Sequence, residues 1–146
     1  MSRDSYSLNM KVKAISLSQR DYRNVWLIES DGMRVKVSWD DIPNCCEDYG
    51  HEESSKGLET LNGRTIVSLT VTSTDPHNSA WTTEKLLPGG FLDNGNTAFV
   101  TFTDSAGDVH QLAFYNCHNG HYGHRVAVEV VDLADSDVVF REEMRL

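Results

Sequence analysis

The sequence has 146 residues, of which 39% are hydrophobic and 24% are charged, and its formal net charge is −9. This length predicts a single domain, residues 1–146, which can bury a core without disulfides or metal. Its 22 acidic residues outnumber 13 basic ones, which argues against a protein that binds long nucleic acids, because such proteins need a basic face. A small anion remains compatible with this charge, since arginines in a recess bind a phosphate locally.

The composition also predicts the cellular location of the protein. No segment has the roughly 18–20 consecutive apolar residues of a membrane span, and the N-terminal residues lack the apolar stretch of a signal peptide. Three cysteines, of which Cys45 and Cys46 are adjacent, form a poor disulfide framework. We therefore expect a cytoplasmic protein with no membrane partner, in which Cys45 and Cys46 pack in the core or in a turn.

Apolar residues alternate with polar ones along most of the chain, a pattern typical of half-buried β-strands. In RVKVSW (34–39), both valines and the tryptophan share one face. The Asp31-Gly32 pair before this segment predicts a β-hairpin. A phase shift between Ala14 and Ile15 indicates a bulge. Seven segments are predicted as strands: 8–17, 24–30, 33–39, 64–73, 96–103, 108–116 and 124–132.

Two segments do not follow the alternating pattern. Residues 41–63 are polar and are predicted as a loop with a short helix near 54–61. The C-terminal DSDVVFREEMRL (135–146) fits either a helical turn or another strand. Because no long helical patterns separate the strands, a parallel sheet is not expected. The predicted fold is mainly β, an antiparallel sandwich or curled barrel of about seven strands with one or two short helices.

The stretch CHNGHYGHR (117–125) concentrates one thiol, three histidines and an Asn-Gly pair. Zinc sites usually pair their ligands as C-x2-C or H-x3-H, and neither spacing occurs here. Asn119, Gly120 and Gly123 also argue against a helix that would align the histidines. We predict no metal ion and no cofactor, and the Asn-Gly pair instead predicts the turn of a β-hairpin.

Catalytic signatures are lacking in the sequence. It contains no G-x-S-x-G, H-E-x-x-H or G-x4-G-K-[ST] motif. Cysteine–histidine pairs could be assembled in many ways from its three cysteines and six histidines, so no single pair is distinctive. We predict that the protein has no catalytic residue and is not an enzyme.

Aromatic, amide and cationic residues flank the Asn-Gly turn and suit a nucleotide ligand. Aromatic rings stack nucleobases, Asn side chains bind their polar edges, and Arg binds phosphate. The alternative places Phe114 and Tyr122 in the core and leaves Arg125 exposed on a strand. The predicted ligand-binding residues are Phe114, Tyr115, Asn116, Asn119, Tyr122 and Arg125, assisted by Arg34 and Arg141.

Several short motifs occur in a recognisable order. They are NCCE at 44–47, LNG at 61–63, AWTT at 80–83, a Val-Thr-Phe strand at 100–102 and HNGHYGH at 118–124. This order resembles a small phage and prophage domain with D-C-C-E early and S/H-N-G-Y-Y-G/S late. Over about residues 35–131 the chain is similar to the first type of Thoeris anti-defence protein. It departs from that pattern at His121, where Tyr is usual, and by an insertion at 85–96.

The resemblance implies a function. Such proteins bind a cyclic ADP-ribose isomer made by bacterial TIR-domain enzymes and hide it from its effector, and some also bind cyclic oligonucleotide signals. They are mostly β, non-enzymatic and oligomeric. The expectation is a homo-oligomeric sponge for a cyclic nucleotide in the cytoplasm of an infected host cell. Two alternatives stay open: a phage structural or protein-interaction module with no small ligand, and a metal- or thiol-dependent hydrolase.

Overall fold

A computed structural model describes residues 3–42, 47–53, 57–73, 95–118 and 124–146. These residues form ten β-strands and a short 3-10 helix, Glu59–Leu61. The strands are β1 (Arg3–Lys11), β2 (Ala14–Arg20), β3 (Arg23–Glu29), β4 (Met33–Asp40), β5 (Glu47–Glu53), β6 (Thr65–Thr72), β7 (Gly95–Asp104), β8 (Val109–His118), β9 (Arg125–Asp132) and β10 (Asp137–Arg145).

The strands make two antiparallel sheets of five strands each. Sheet I has the order β1-β6-β7-β8-β5, and sheet II has the order β10-β9-β4-β3-β2. The predicted antiparallel sandwich is therefore confirmed. The barrel alternative does not apply to the described strands, because no strand of one sheet pairs with a strand of the other.

The core lies between the two sheets and follows from the period-two pattern. In β4, Val35, Val37 and Trp39 are buried, while Lys36 between them is exposed. Alternate residues of β3 and β9 are buried in the same way. Sheet I contributes aromatic side chains such as Phe102, and the buried residues of both sheets form one hydrophobic cluster. This burial fixes the register, because a slip of one residue would expose every core side chain of a strand.

The segment predicted as one strand, 8–17, is two strands. β1 belongs to sheet I and β2 to sheet II, and the chain changes sheets at Val12 and Lys13. The phase shift between Ala14 and Ile15 follows this change of sheet, whereas the bulge in β1 lies between Ser7 and Met10. When two strands follow each other directly but belong to different sheets, the sequence shows a single alternating pattern with one interruption.

The polar segment 41–63 contains a strand that was not predicted. β5 pairs with β8 at the edge of sheet I, so its polar sequence EDYGHEE needs no alternating apolar face. Of the helix predicted near 54–61, residues 54–56 lie outside the described residues, and the described part contains only the 3-10 turn Glu59–Leu61. At the C-terminus, the strand alternative holds, because β10 pairs with β9 along most of its length.

Among the described residues there is no helix that is both long and apolar enough to cross a membrane.

Candidate functional site

The outer face of sheet II, turned away from the core, carries a groove of about 470 Å³. Strands β3, β4, β9 and β10 supply most of its walls. Every second side chain of a strand points away from the core, and these outward-pointing side chains form the groove. The lining residues are Arg23, Asn24, Val25, Lys36, Ser38, Trp39, Asp40, Ile42, Arg125, Ala127, Glu129, Arg141 and Glu143.

Each of the four strands places one cation in this groove. Arg23 comes from β3, Lys36 from β4, Arg125 from β9 and Arg141 from β10. The groove also holds three carboxylates, those of Asp40, Glu129 and Glu143, so its cations exceed its carboxylates by one. The chain as a whole carries a net charge of −9, so this groove is basic relative to its surroundings.

Two of the four cations are held by carboxylates. Arg141 donates to Glu129 Oε2 at 2.8 Å and also contacts Glu143, while Arg125 lies 3.4 Å from Glu143 Oε1. The hydrogen bond from Arg141 lowers the pKa of Glu143 below its ordinary value, and the same bond raises the pKa of Arg141. These contacts orient the two guanidinium groups and keep Glu143 ionised.

The other two cations have no such restraint. Among the described residues, Arg23 and Lys36 form no ion pair. In the part of the chain that the structure describes, no carboxylate lies within ion-pair distance of either side chain. A ligand anion that entered the groove could pair with both of these cations without displacing a described carboxylate.

Asp40, one of the groove residues, is paired with a buried histidine. His124 Nδ1 donates to Asp40 Oδ1 at 2.5 Å, and the His124 side chain is buried. Its backbone also exchanges two hydrogen bonds with Leu146. The last histidine of the HNGHYGH motif thus fixes the start of β9, next to Arg125, and engages the Asp40 carboxylate.

The structure brings the three predicted arginines to one face of sheet II. Arg125 and Arg141 line the groove, and Arg34 lies two residues before Lys36 on the outward positions of β4. The Arg34 Nε atom is buried and has no hydrogen-bond partner among the described residues. The sequence thus identified two of the four groove cations.

The predicted aromatic and amide residues lie elsewhere. Phe114 is buried in the core, as the alternative interpretation of the sequence predicted. Its ring packs edge-on against Trp39, with 5.1 Å between the ring centroids. Asn116 is also buried and donates to the Leu146 carbonyl oxygen. Tyr115 points to the opposite face of sheet I, where its ring lies across Gly50 so closely that a Cβ on Gly50 would overlap the hydroxyl. The described structure does not bring these three side chains to the groove.

Two predicted residues, Asn119 and Tyr122, lie outside the described residues, as do Cys45, Cys46 and His121. Within the described residues, no group of three His, Cys, Asp or Glu side chains could hold a metal ion. The groove instead combines four cations with three carboxylates, and its two cations without a described ion pair, Arg23 and Lys36, suit a phosphorylated ligand.

Arg23 and Lys36 are the groove residues that sequence reasoning missed. Lys36 stood on the outward face of RVKVSW, and Arg23 begins the next strand towards the edge of sheet II. Their proximity to Arg125 depends on the pairing of β4 with β9, which is distant in sequence. The sequence shows that these cations occupy outward-facing positions on separate strands. It does not show which strands are neighbours, so it could not predict that the cations lie close together.

A second polar cluster lies inside the protein, at the end of β7. The Asp104 carboxylate contacts Arg64 Nη1 at 2.7 Å and His110 Nε2 at 3.0 Å, and Thr60 Oγ1 lies 3.0 Å from His110 Nδ1. This Thr–His–Asp chain has the connectivity of a catalytic triad. The His110 ring is, however, fully buried, and the Thr60 hydroxyl also donates to the Gly57 carbonyl. We interpret the cluster as a structural link between sheet I and the 3-10 helix.

Comparison with known proteins places the chain in a family. A domain of unknown function, DUF7448, matches residues 7–128, which is most of the sequence. No curated protein and no solved structure matches the chain at a significant level. The family match covers nine of the ten strands at least in part, including three of the four strands that supply the groove cations. The chain therefore belongs to the DUF7448 family.

Proposed function

We propose that the protein captures a cyclic nucleotide immune signal, such as a cyclic ADP-ribose isomer, and holds it without cleaving it. In this role it would act as a phage anti-defence sponge in the cytoplasm of an infected host cell. The observation that carries the proposal is the convergence of four cations, one from each of four strands, in a groove of about 470 Å³. The similarity of the sequence motifs to the first type of Thoeris anti-defence protein gives the ligand class.

The groove suits the phosphates of such a ligand. Its volume lies within the roughly 300–1,000 Å³ typical of small-molecule sites. Cyclic ADP-ribose carries two linked phosphates, and the guanidinium groups of Arg23, Arg125 and Arg141 can each donate several hydrogen bonds to them. Glu129 and Glu143 hold Arg141 in place before a ligand arrives, and this preorganisation lowers the entropy that binding costs.

The carboxylates of the groove support capture over cleavage. Glu129 and Glu143 are paired with arginine, and Asp40 accepts a hydrogen bond from His124. A general acid needs a proton to give near neutral pH. The lowered pKa of Glu143 keeps that carboxyl ionised, which makes it a poor proton donor.

A homo-oligomer is part of the same proposal, and the edge of sheet II supports it. β2 lies at this edge, is exposed along most of its length, and carries no charged residue before Arg20. Soluble proteins usually protect an edge strand with lysine, proline or a bulge. We propose that β2 pairs with the β2 strand of a second copy.

A different class of function has an observation of its own. Both edges of sheet II expose apolar side chains, Leu17 on β2 and Val138 and Val139 on β10. These residues would suit a phage structural or protein-interaction module that binds another protein by adding a strand to the sheet. The two proposals differ in one measurable property, the binding of a cyclic nucleotide.

Calorimetric titration with cyclic ADP-ribose isomers tests the ligand proposal. A sponge must compete with a receptor, so we expect a nanomolar dissociation constant, roughly −12 kcal/mol. The substitutions Arg23→Ala and Arg125→Ala should each cost about 1.5–3 kcal/mol, because each removes a charge-assisted hydrogen bond.

The matched control is Lys13→Ala, which removes one positive charge from an exposed ion pair with Asp31 outside the groove. It should leave the affinity unchanged. Equal weakening by Lys13→Ala would mean that net charge, and not the groove, governs binding. No binding of any cyclic nucleotide would leave the interaction module as the better account.

A further inference from the structure

The hairpin turn between β2 and β3 has an unusual residue at its tip. Asp21 and Tyr22 both adopt positive φ angles, 53° and 62°. Two-residue hairpin turns of this kind normally use Asn, Asp or Gly, because most other side chains are strained in the left-handed region. A bulky aromatic residue there costs stability, and such strain is concentrated at functional positions.

Tyr22 is presented to solvent and held in place. Its side chain is 60% exposed, and its carbonyl oxygen accepts a hydrogen bond from the backbone N–H of Asp41 at 2.9 Å. This bond ties the turn to the end of β4, next to the groove. Tyr22 is one of the residues that line a second concavity, of about 210 Å³, and that concavity shares Arg23 and Asn24 with the groove.

Asn24 contributes to the wall of both concavities, but its side chain is buried. Its side chain is only 1% exposed, and its Oδ1 atom accepts a hydrogen bond from Gln19 Nε2 at 3.0 Å. Its Nδ2 group is buried and has no hydrogen-bond partner among the described residues. Asn24 shares the core-facing positions of β3 with Trp26 and Ile28, so its side chain supports the wall of the concavities from the core side, whereas Arg23 lies on the outward face.

We propose that the concavity beside Tyr22 is a nucleobase subsite. The base stacks on the Tyr22 ring, and Arg23, which lines both concavities, binds the adjoining phosphate. This inference rests on the proposed function, because it supplies the base contact for the ligand whose phosphates occupy the groove. It replaces the stacking role that the sequence suggested for Phe114 and Tyr115.

The substitution Tyr22→Asn separates stacking from folding. Asn tolerates the left-handed region, so the variant should keep or raise the melting temperature while it loses the ring. Cyclic ADP-ribose should bind about 5- to 150-fold more weakly to this variant, which is the range for loss of one stacked base. Tyr22→Phe keeps the ring and should bind like the unmodified protein. Inorganic pyrophosphate, which has no base, should bind Tyr22→Asn and the unmodified protein equally.

Each calorimetric outcome decides the question. Unchanged affinity of Tyr22→Asn for cyclic ADP-ribose would overturn the subsite while leaving the proposed function standing. Equal weakening of pyrophosphate and cyclic ADP-ribose would also overturn it, since the effect would then not arise from the base. If the unmodified protein binds no cyclic nucleotide, the proposed function fails and the subsite fails with it.

Discussion

At the scale of single residues, Asp104 shows how this fold tolerates a buried charge. Burial alone would raise the pKa of its carboxyl, but hydrogen bonds from His110, Arg64 and the backbone N–H groups of Asp108 and Ala106 outweigh it. The pKa of Asp104 therefore lies well below the ordinary range. The same carboxylate organises the turn between β7 and β8, because Oδ1 accepts both backbone N–H groups.

Substituting Asp104→Asn should destabilise the protein by about 3 kcal/mol, the lower end of the range for breaking a buried ion pair. The cost depends on pH. A carboxyl whose pKa is depressed on folding stabilises the native state above its unfolded pKa, and this contribution is lost as pH falls through the folded value. The difference between the two proteins should therefore be largest near neutral pH and shrink below about pH 4.

Urea unfolding at several pH values measures this difference. The control is Asp108→Asn, since Asp108 also bonds Arg64 at 2.7 Å but is partly exposed, so its loss should cost much less. A constant difference between Asp104→Asn and the unmodified protein across pH would refute the assigned ionisation.

At the scale of strands and turns, the alternation of apolar and polar residues predicted the sandwich, because in a strand this alternation shows which side chains are buried. The Asp31-Gly32 hairpin between β3 and β4 was predicted for the same reason, from local turn chemistry. β5 was not predictable, because an edge strand can be polar throughout. The turn at Asp21 and Tyr22 was missed because Tyr22 occupies the position where such turns usually have Gly.

Strand geometry also explains which residues of the candidate site could be predicted from the sequence. Phe114 and Tyr115 are neighbours on β8, and adjacent residues of a strand point to opposite faces. They could not both line one pocket once the segment was a strand. Arg125 and Arg141, in contrast, are outward positions on paired strands, and their contact through Glu143 follows from the β9–β10 pairing.

The exposed strand β2 leads to a prediction about assembly. If β2 pairs with a second copy, light scattering at micromolar concentration should give at least the mass of a dimer. Leu17, which is 40% exposed on β2, is the position to test, and Leu17→Lys should reduce the mass to that of a monomer. Val67→Lys introduces the same side chain at an exposed site on β6, an inner strand of sheet I, and should leave the mass unchanged. A monomeric unmodified protein would contradict the pairing.

At the scale of the whole molecule, charge separates two kinds of anion. The net charge of −9 repels a long polyanion, which must contact a wide surface, whereas the groove offers four cations to a ligand small enough to enter it. The same distribution suits a protein that must bind a small signal within a cell full of nucleic acid. The acidic exterior and the basic groove are therefore complementary parts of the proposed function.

The measurement that tests capture most directly is mass spectrometry of the small molecules released when the purified protein is denatured, after expression beside an active TIR-domain enzyme. We predict an intact cyclic ADP-ribose isomer in amounts comparable to the protein, and far less from a variant that lacks both Arg23 and Arg125. Release of a linear or hydrolysed product would mean that the protein is an enzyme. Release of no nucleotide at all would contradict the capture of a cyclic nucleotide signal in this groove.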